Sequence, residues 1–271
     1  MILDAVLTLG GLGFIFAAGL GIAGRVFSVK EDPTKRKILN ILPRANCGAC
    51  GFAGCSNYAD LLVQGQAEIN LCPVGKQEVV DKISAILGKE IARLEKKVAV
   101  IKCTAGDNEC GKRFVYQGVK SCRAAVLVSG GNKGCEYGCL GFNDCATVCP
   151  FDAIVTISGK PPVVNGSKCT GCGICVKECP KNIIELVSEK STVQILCSSL
   201  DKGKDTRSIC KAGCFACNLC VKNCPENAIT IVNNLAVIDF EKCNNCGKCV
   251  EKCPVKCIRQ GRGDKVFVAA G

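Results

Sequence analysis

Three stretches of this 271-residue chain space their cysteines as C-x2-C-x2-C-x3-C-P, beginning at Cys169, Cys214 and Cys243. Three thiolates two residues apart can grip three irons of one iron–sulfur cubane. The turn at Cys-Pro then carries the fourth thiolate to a neighbouring cubane. Read as interleaved pairs, Cys214, Cys217 and Cys220 with Cys253 make one ligand set, and Cys243, Cys246 and Cys249 with Cys224 make its partner. Upstream, Cys169, Cys172 and Cys175 with Cys149 make another. Its partner needs Cys139, position 142, Cys145 and Cys179, but position 142 is Phe142. The nearest substitute is Cys135, one helical turn before Cys139, and Cys135 is expected to complete that cubane. The alternative is a [3Fe–4S] cluster.

Cys47, Cys50, Cys55 and Cys72 form a separate C-x2-C-x4-C-x16-C run, again followed by proline. Small residues around these sulfurs leave room for a cubane and for amide hydrogen bonds to it. A C-x2-C pair alone would also suit zinc, but clustered thiolates with a distant fourth favour [4Fe–4S] clusters. Five such sets leave Cys103, Cys110, Cys122, Cys197, Cys210 and Cys257. A sixth cluster is expected on Cys103, Cys122, Cys197 and Cys210, where equivalent positions of two repeats meet, with Cys110 and Cys257 as ordinary thiols. A rival set exchanges Cys103 for Cys135.

Composition agrees with metal rather than disulfides. With 271 residues the chain is too long, and its twenty-six cysteines are too regularly spaced, for a small secreted disulfide scaffold. There is no histidine, which excludes Ser-His-Asp and Cys-His sites and any imidazole ligand. The formal charge of +11 counts every cysteine as neutral. Six cubanes, each about −2 with its four thiolates, would bring the holoprotein near −1, so the basic excess does not argue for nucleic acid.

Several elements must position these cysteines. Residues 1–29 carry only Asp4 and Arg25 as charges, and the apolar run from Ala5 to Gly24 is long enough for a membrane-spanning helix. The basic residues Arg25, Lys30, Lys35, Arg36 and Lys37 follow it, which places the bulk of the chain on the cytoplasmic side of the cell membrane. Gly13, Ala17 and Gly21 form a small-residue stripe on which another membrane helix can pack. Residues 30–44 read as a charged linker, and 45–100 as the four-cysteine module. In that module Val79, Ile83, Ile86 and Leu87 recur at helical spacing until Gly88, with a second short helix to Lys97.

Beyond Cys103 the chain repeats itself with a period of about 75 residues. Cys122 aligns with Cys197, Cys135 with Cys210, Cys139 with Cys214, Cys145 with Cys220, and Cys149-Pro150 with Cys224-Pro225. The repeats occupy 101–190 and 191–271 as two ferredoxin-like modules built from short strands and single helical turns. Asn165-Gly166 is a turn signal between strand-like stretches. The fold class is therefore α+β: one transmembrane helix, a small Fe-S module and two tandem bacterial 2[4Fe–4S] ferredoxin-like modules.

A glycine-rich membrane helix, then NCGACGFAGCSNYA and LCPVG, then ferredoxin repeats, resembles the B subunit of the Rnf complex over essentially the whole chain. The segment from Cys103 to Gly141 looks like the long clostridial-type form, whereas the proteobacterial form has one ferredoxin module. The first module alone is also similar to cluster domains of corrinoid iron–sulfur proteins. The resemblance implies a subunit of an ion-translocating ferredoxin:NAD⁺ oxidoreductase. Reduced ferredoxin would deliver electrons to this chain, which relays them to membrane-embedded subunits, with Na⁺ or H⁺ export coupled to the flow. No substrate-converting site is expected on the chain itself, which has no G-x-G-x-x-G fingerprint after a strand. Docking of an acidic ferredoxin would fall on lysines beside the distal cluster loops: Lys211, Lys222, Lys242, Lys248 and Lys252. A polyferredoxin partner of another membrane-bound dehydrogenase or hydrogenase is the competing reading.

Overall fold

An apolar run with few charges favours a helix when its residues are Leu, Ala, Ile and Phe, and the first element is α1, Ile2–Val26. The computed structural model describes residues 2–27, 32–89 and 95–261. At 1.5 Å per residue α1 is about 37 Å long, enough to cross a hydrocarbon layer of about 30 Å. Phe14, Ile15 and Leu20 are all exposed on it, and within it Leu9–Val26 has the length and composition of a membrane span. A span that is largely apolar and, among the described residues, unburied from Leu9 to Val26 matches a lipid environment.

Residues 30–44 are not merely a linker. Asp32 caps α2 (Pro33–Ile41) by accepting the Thr34 N–H at 2.7 Å, and Pro33 sits where its missing N–H costs nothing. Ile38 and Leu42 are buried against α3 (Cys55–Val63) and α4 (Lys76–Leu87), and the Lys35 ammonium donates to Asp60 at 2.8 Å. The three basic residues of α2 mask an apolar stripe at Ile38, Ile41 and Leu42 that has helical spacing. Tyr58 anchors the same core: its hydroxyl donates to the Glu68 carbonyl at 2.7 Å, and Phe52 stacks on its ring. Because Ile38 is fully buried, Ile38→Ala is expected to destabilise this module by about 2–5 kcal/mol. Urea unfolding followed by circular dichroism checks it, and an unchanged midpoint would remove α2 from the core.

Gly88 ends α4 in a left-handed conformation, as its position in the sequence predicts. The second short helix expected before Lys97 falls on 90–94, which lie outside the described residues, and Lys97 itself opens a strand. That strand, β1 (Lys97–Ile101), continues into the repeats. Next come α5 (Cys122–Val126), α6 (Asp144–Thr147), β2 (Ile154–Ile157), β3 (Lys160–Val164), α7 (Ile174–Glu178) and β4 (Ile184–Ser188). The second repeat holds β5 (Val193–Ile195), α8 (Gly203–Ile209), α9 (Leu219–Lys222), β6 (Ile229–Val232), β7 (Leu235–Ile238), α10 (Lys248–Glu251) and β8 (Ile258–Gln260).

Each repeat is two antiparallel strand pairs. β1 pairs with β4, with Ile101 opposite Ile184, and β2 forms a hairpin with β3. In the second repeat β5 pairs with β8, with Ile195 opposite Ile258, and β6 forms a hairpin with β7. Between the pairs lie the cysteines, mixed into cores of Val, Ile and Ala. The matching strands β1 and β5 correct the repeat register. Cys103 follows β1 as Cys197 follows β5, so Cys103, not Cys122, is the counterpart of Cys197. Cys122 instead opens α5, inside a longer excursion (104–134) than its equivalent in the second repeat (198–209). Asn165 ends β3 and turns the chain with its side chain, accepting the Ser167 N–H at 3.0 Å, four residues before Cys169.

Candidate metal centres

Four short helices carry the third cysteine of each ferredoxin run: α6 with Cys145, α7 with Cys175, α9 with Cys220 and α10 with Cys249. Each helix is preceded directly by a left-handed residue, two positions before the cysteine, at Asn143, Gly173, Asn218 and Gly247. Asn and Gly tolerate this conformation best, so the same local chemistry bends each loop around its sulfurs.

Cys149, Cys169, Cys172 and Cys175 line one cavity in the first repeat, the grouping expected from their spacing. Main-chain N–H groups point at the sulfurs: Ala99 donates to Cys169 and Ala153 to Cys149, both at 3.4 Å. In the second repeat Cys220 is surrounded by Cys214, Cys217 and Cys253, and Cys249 by Cys243, Cys224 and Cys246. The Ala228 N–H donates to Cys224 at 3.3 Å, as Ala153 does to Cys149. In the N-terminal module Cys72 is buried near Cys50 and Cys55, and the Gly75 N–H donates to its sulfur at 3.4 Å. Asn46 accepts the Cys55 N–H at 2.9 Å and so holds the loop that carries Cys47 and Cys50.

The Phe142 site is built differently from the sequence expectation. Its cavity is lined by Cys122, Cys139, Cys145 and Cys179, and Cys135 is not there. Phe142 packs edge-on against Tyr116, with ring centroids 5.5 Å apart. Cys122 is delivered by tertiary contacts. The Ser121 hydroxyl donates to Asp144 at 2.8 Å, and the Arg123 guanidinium pairs with Glu178 at 2.7 Å, which fixes α5 against α6 and α7. No local spacing signal reveals this.

Cys135 lies instead in a cavity with Cys103, Cys197 and Cys210, between the two repeats. Corrected for register, these are two equivalent pairs, Cys103 with Cys197 and Cys135 with Cys210. The equivalence extends to hydrogen bonds: Cys139 N–H donates to Cys103 at 3.5 Å, and Cys214 N–H donates to Cys197 at 3.3 Å. Cys122, expected here, is not part of this group. Nor are Cys110 and Cys257 isolated thiols. Cys110 bridges to Cys210 through the backbone and accepts the Cys135 N–H at 3.3 Å, and Cys257 Sγ is 3.6 Å from Cys253 Sγ.

The donor chemistry fits cubanes. Among the described residues no three thiols or carboxylates converge closely enough to hold a single ion. A structural zinc needs four ligands about 2.3 Å from one centre, whereas a cubane spreads its thiolates over four irons. Burial, and then the neighbouring thiolates, push Cys145 and Cys175 up to about 12 and Cys220 and Cys249 up to about 11. Burial and mutual repulsion thus disfavour bare thiolates at these positions, and a cationic centre would offset both. Cys214 and Cys253 differ: hydrogen bonding from the Cys257 thiol brings them down to about 6 and about 5.

Tandem two-pair repeats whose cysteines are grouped in fours between strand pairs define an iron–sulfur electron carrier of the polyferredoxin kind. Family comparisons agree: the FeS family, an Fe-S cluster domain, matches residues 42–74, and 4Fe-4S dicluster domains match 134–184, 168–229 and 213–257. The chain is 47% identical over 257 residues to the B subunit of the Na(+)-translocating ferredoxin:NAD(+) oxidoreductase complex of Acetobacterium woodii, covering 95% of this chain and 77% of that one. It is 41% identical to the B subunit of the ion-translocating oxidoreductase complex of Methanosarcina acetivorans, covering 95% and 98% of the two chains. The proton-translocating counterpart of Clostridium ljungdahlii is 39% identical, with 92% and 88% covered. The chain belongs to this family, the B subunits of Rnf complexes, and is an electron-transferring, membrane-associated member of a multi-subunit assembly.

Proposed function

We propose that this subunit takes electrons from reduced ferredoxin and passes them, through six [4Fe–4S] clusters, to membrane subunits of a ferredoxin:NAD⁺ oxidoreductase that exports Na⁺ or H⁺. Such a cluster, when bound, accepts and releases one electron. The observation that carries the reading is the order of the six cysteine groups. Cys47 of the N-terminal module is close enough to Cys172 for their charges to interact. Cys175 likewise neighbours Cys145. Cys139 meets Cys103, and Cys197 meets Cys214, through the hydrogen bonds given above. The last two groups exchange Cys224 and Cys253 within one core. The chain therefore holds a single file of sites from the distal repeat to the module that follows α1.

In this reading Cys122 is the fourth ligand beside Phe142, and Cys103, Cys135, Cys197 and Cys210 hold the sixth cluster. The basic residues after α1 keep the repeats cytoplasmic, and NAD⁺ is reduced on another subunit. The named relatives differ in their ion, which fits an ion path that lies outside this chain. Ferredoxin docks at the distal end, where Lys211, Lys222, Lys242, Lys248 and Lys252 lie beside the cluster loops. Lys242 also pairs with Asp239 at 3.1 Å. Reversing Lys222, Lys248 and Lys252 to Glu in the intact complex is expected to slow ferredoxin oxidation at low ionic strength at least about tenfold and to flatten its salt dependence. Unchanged rates would move the docking site elsewhere.

A further inference from the structure

Six groups of four account for all but two of the 26 cysteines, and the two left over, Cys110 and Cys257, both touch a grouped cysteine. Cys257 is the more informative. It stands four residues after Cys253, the position held by Ala153, Ile183 and Ala228 after Cys149, Cys179 and Cys224. At Ala153 and Ala228 the backbone N–H at this position donates to the preceding ligand sulfur, so the residue faces the site. Only at Cys257 does the side chain carry a further donor. Its residue is 2% exposed, its sulfur lies 3.6 Å from Cys253 Sγ, and its carbonyl accepts the Leu196 N–H at 2.7 Å. The backbone thus pins the thiol against a ligand of the Cys253 set.

We propose that Cys257 is a tuning residue: its S–H donates to the Cys253 sulfur and raises the reduction potential of that cluster above that of its partner on Cys224, Cys243, Cys246 and Cys249. An iron-bound Cys253 thiolate can only accept, so in this buried 3.6 Å contact the Cys257 thiol is the donor. Hydrogen bonds to ligand sulfur stabilise the reduced cluster, which is the more negative state. The partner cluster has Ala228 at the equivalent position and receives only the backbone donor. Two clusters held by near-identical loops would then differ in potential, the one nearer the other repeat being the better acceptor. Cys257 is a positioning residue for charge, not a ligand.

This inference rests on Cys214, Cys217, Cys220 and Cys253 forming one ligand set, and the experiment separates the two claims. Full-length protein carrying Cys257→Ala, the residue that two equivalent positions already use, is reconstituted anaerobically. Iron is counted, and the potentials are followed by EPR-monitored redox titration. The expected result is wild-type iron, with one cluster about tenfold harder to reduce, a shift of about 59 mV for a one-electron couple. Cys257→Ser, which keeps a donor, should shift it less. Potentials unchanged at full iron would overturn the tuning role. Loss of about four irons in both variants would show instead that Cys257 is a ligand. A Cys217→Ser variant with full iron would overturn the ligand set itself.

Discussion

Cys122→Ser is expected to cost the protein iron at the same site as Cys145→Ser, so the double variant should lose no more than the worse single one. Full-length protein with six cubanes holds about 24 irons, and losing one cubane removes about four. Residues that act on one site are non-additive, whereas those on separate sites add. Combining Cys122→Ser with Cys135→Ser should therefore remove about eight irons, because Cys135 lines the cavity between the repeats. A variant that retains three irons at the Phe142 site would still follow this pattern, with smaller steps. The opposite pairing, with Cys135 and Cys145 non-additive and Cys122 independent of both, would restore the assignment suggested by spacing alone.

That contrast shows where the sequence was legible. The C-x2-C-x2-C-x3-C-P runs encode their own geometry, because three sulfurs and the turn before the fourth are set by a dozen residues and by an Asn or Gly at the left-handed position. The groups around Cys175, Cys220 and Cys249 could be read from spacing for that reason. The fourth cysteine of the cavity beside Phe142 could not, because Ser121, Arg123, Asp144 and Glu178 hold Cys122 in place from separate points of the chain. Counting residues between cysteines also put Cys122 opposite Cys197. The strand pairs β1–β4 and β5–β8 show that Cys103 holds that place and that the excursion from 104 to 134 had shifted the count. Similarly, Lys35, Arg36 and Lys37 gave α2 the look of a linker, although Ile38 and Leu42 bury themselves as core residues do. Charge composition describes the solvent face of a helix and says little about its buried one.

The largest functional effect is expected from the group between the repeats. Its four cysteines come as two equivalent pairs, and its neighbours in the file are Cys139 on one side and Cys214 on the other, each reached through a main-chain N–H to sulfur bond. Removing this site leaves a gap between the two repeats that no other cysteine group spans. Cys197→Ser is therefore expected to lower bound iron from about 24 to about 20. In the assembled complex, NAD⁺ reduction with reduced ferredoxin should fall to background, while a fraction of the clusters, those of the distal repeat, is still reduced at once by ferredoxin. Cys110→Ala serves as the control: Cys110 is buried against Cys210 but lies outside the cavity lining. That variant should keep about 24 irons and most of its turnover. Rapid-freeze EPR after mixing with reduced ferredoxin tells a broken file from a merely destabilised one, because general unfolding would bleach both repeats together. Iron near 20 in wild-type and Cys197→Ser protein alike, with turnover retained, would mean that the cavity holds no cubane and that electrons cross between the repeats without it.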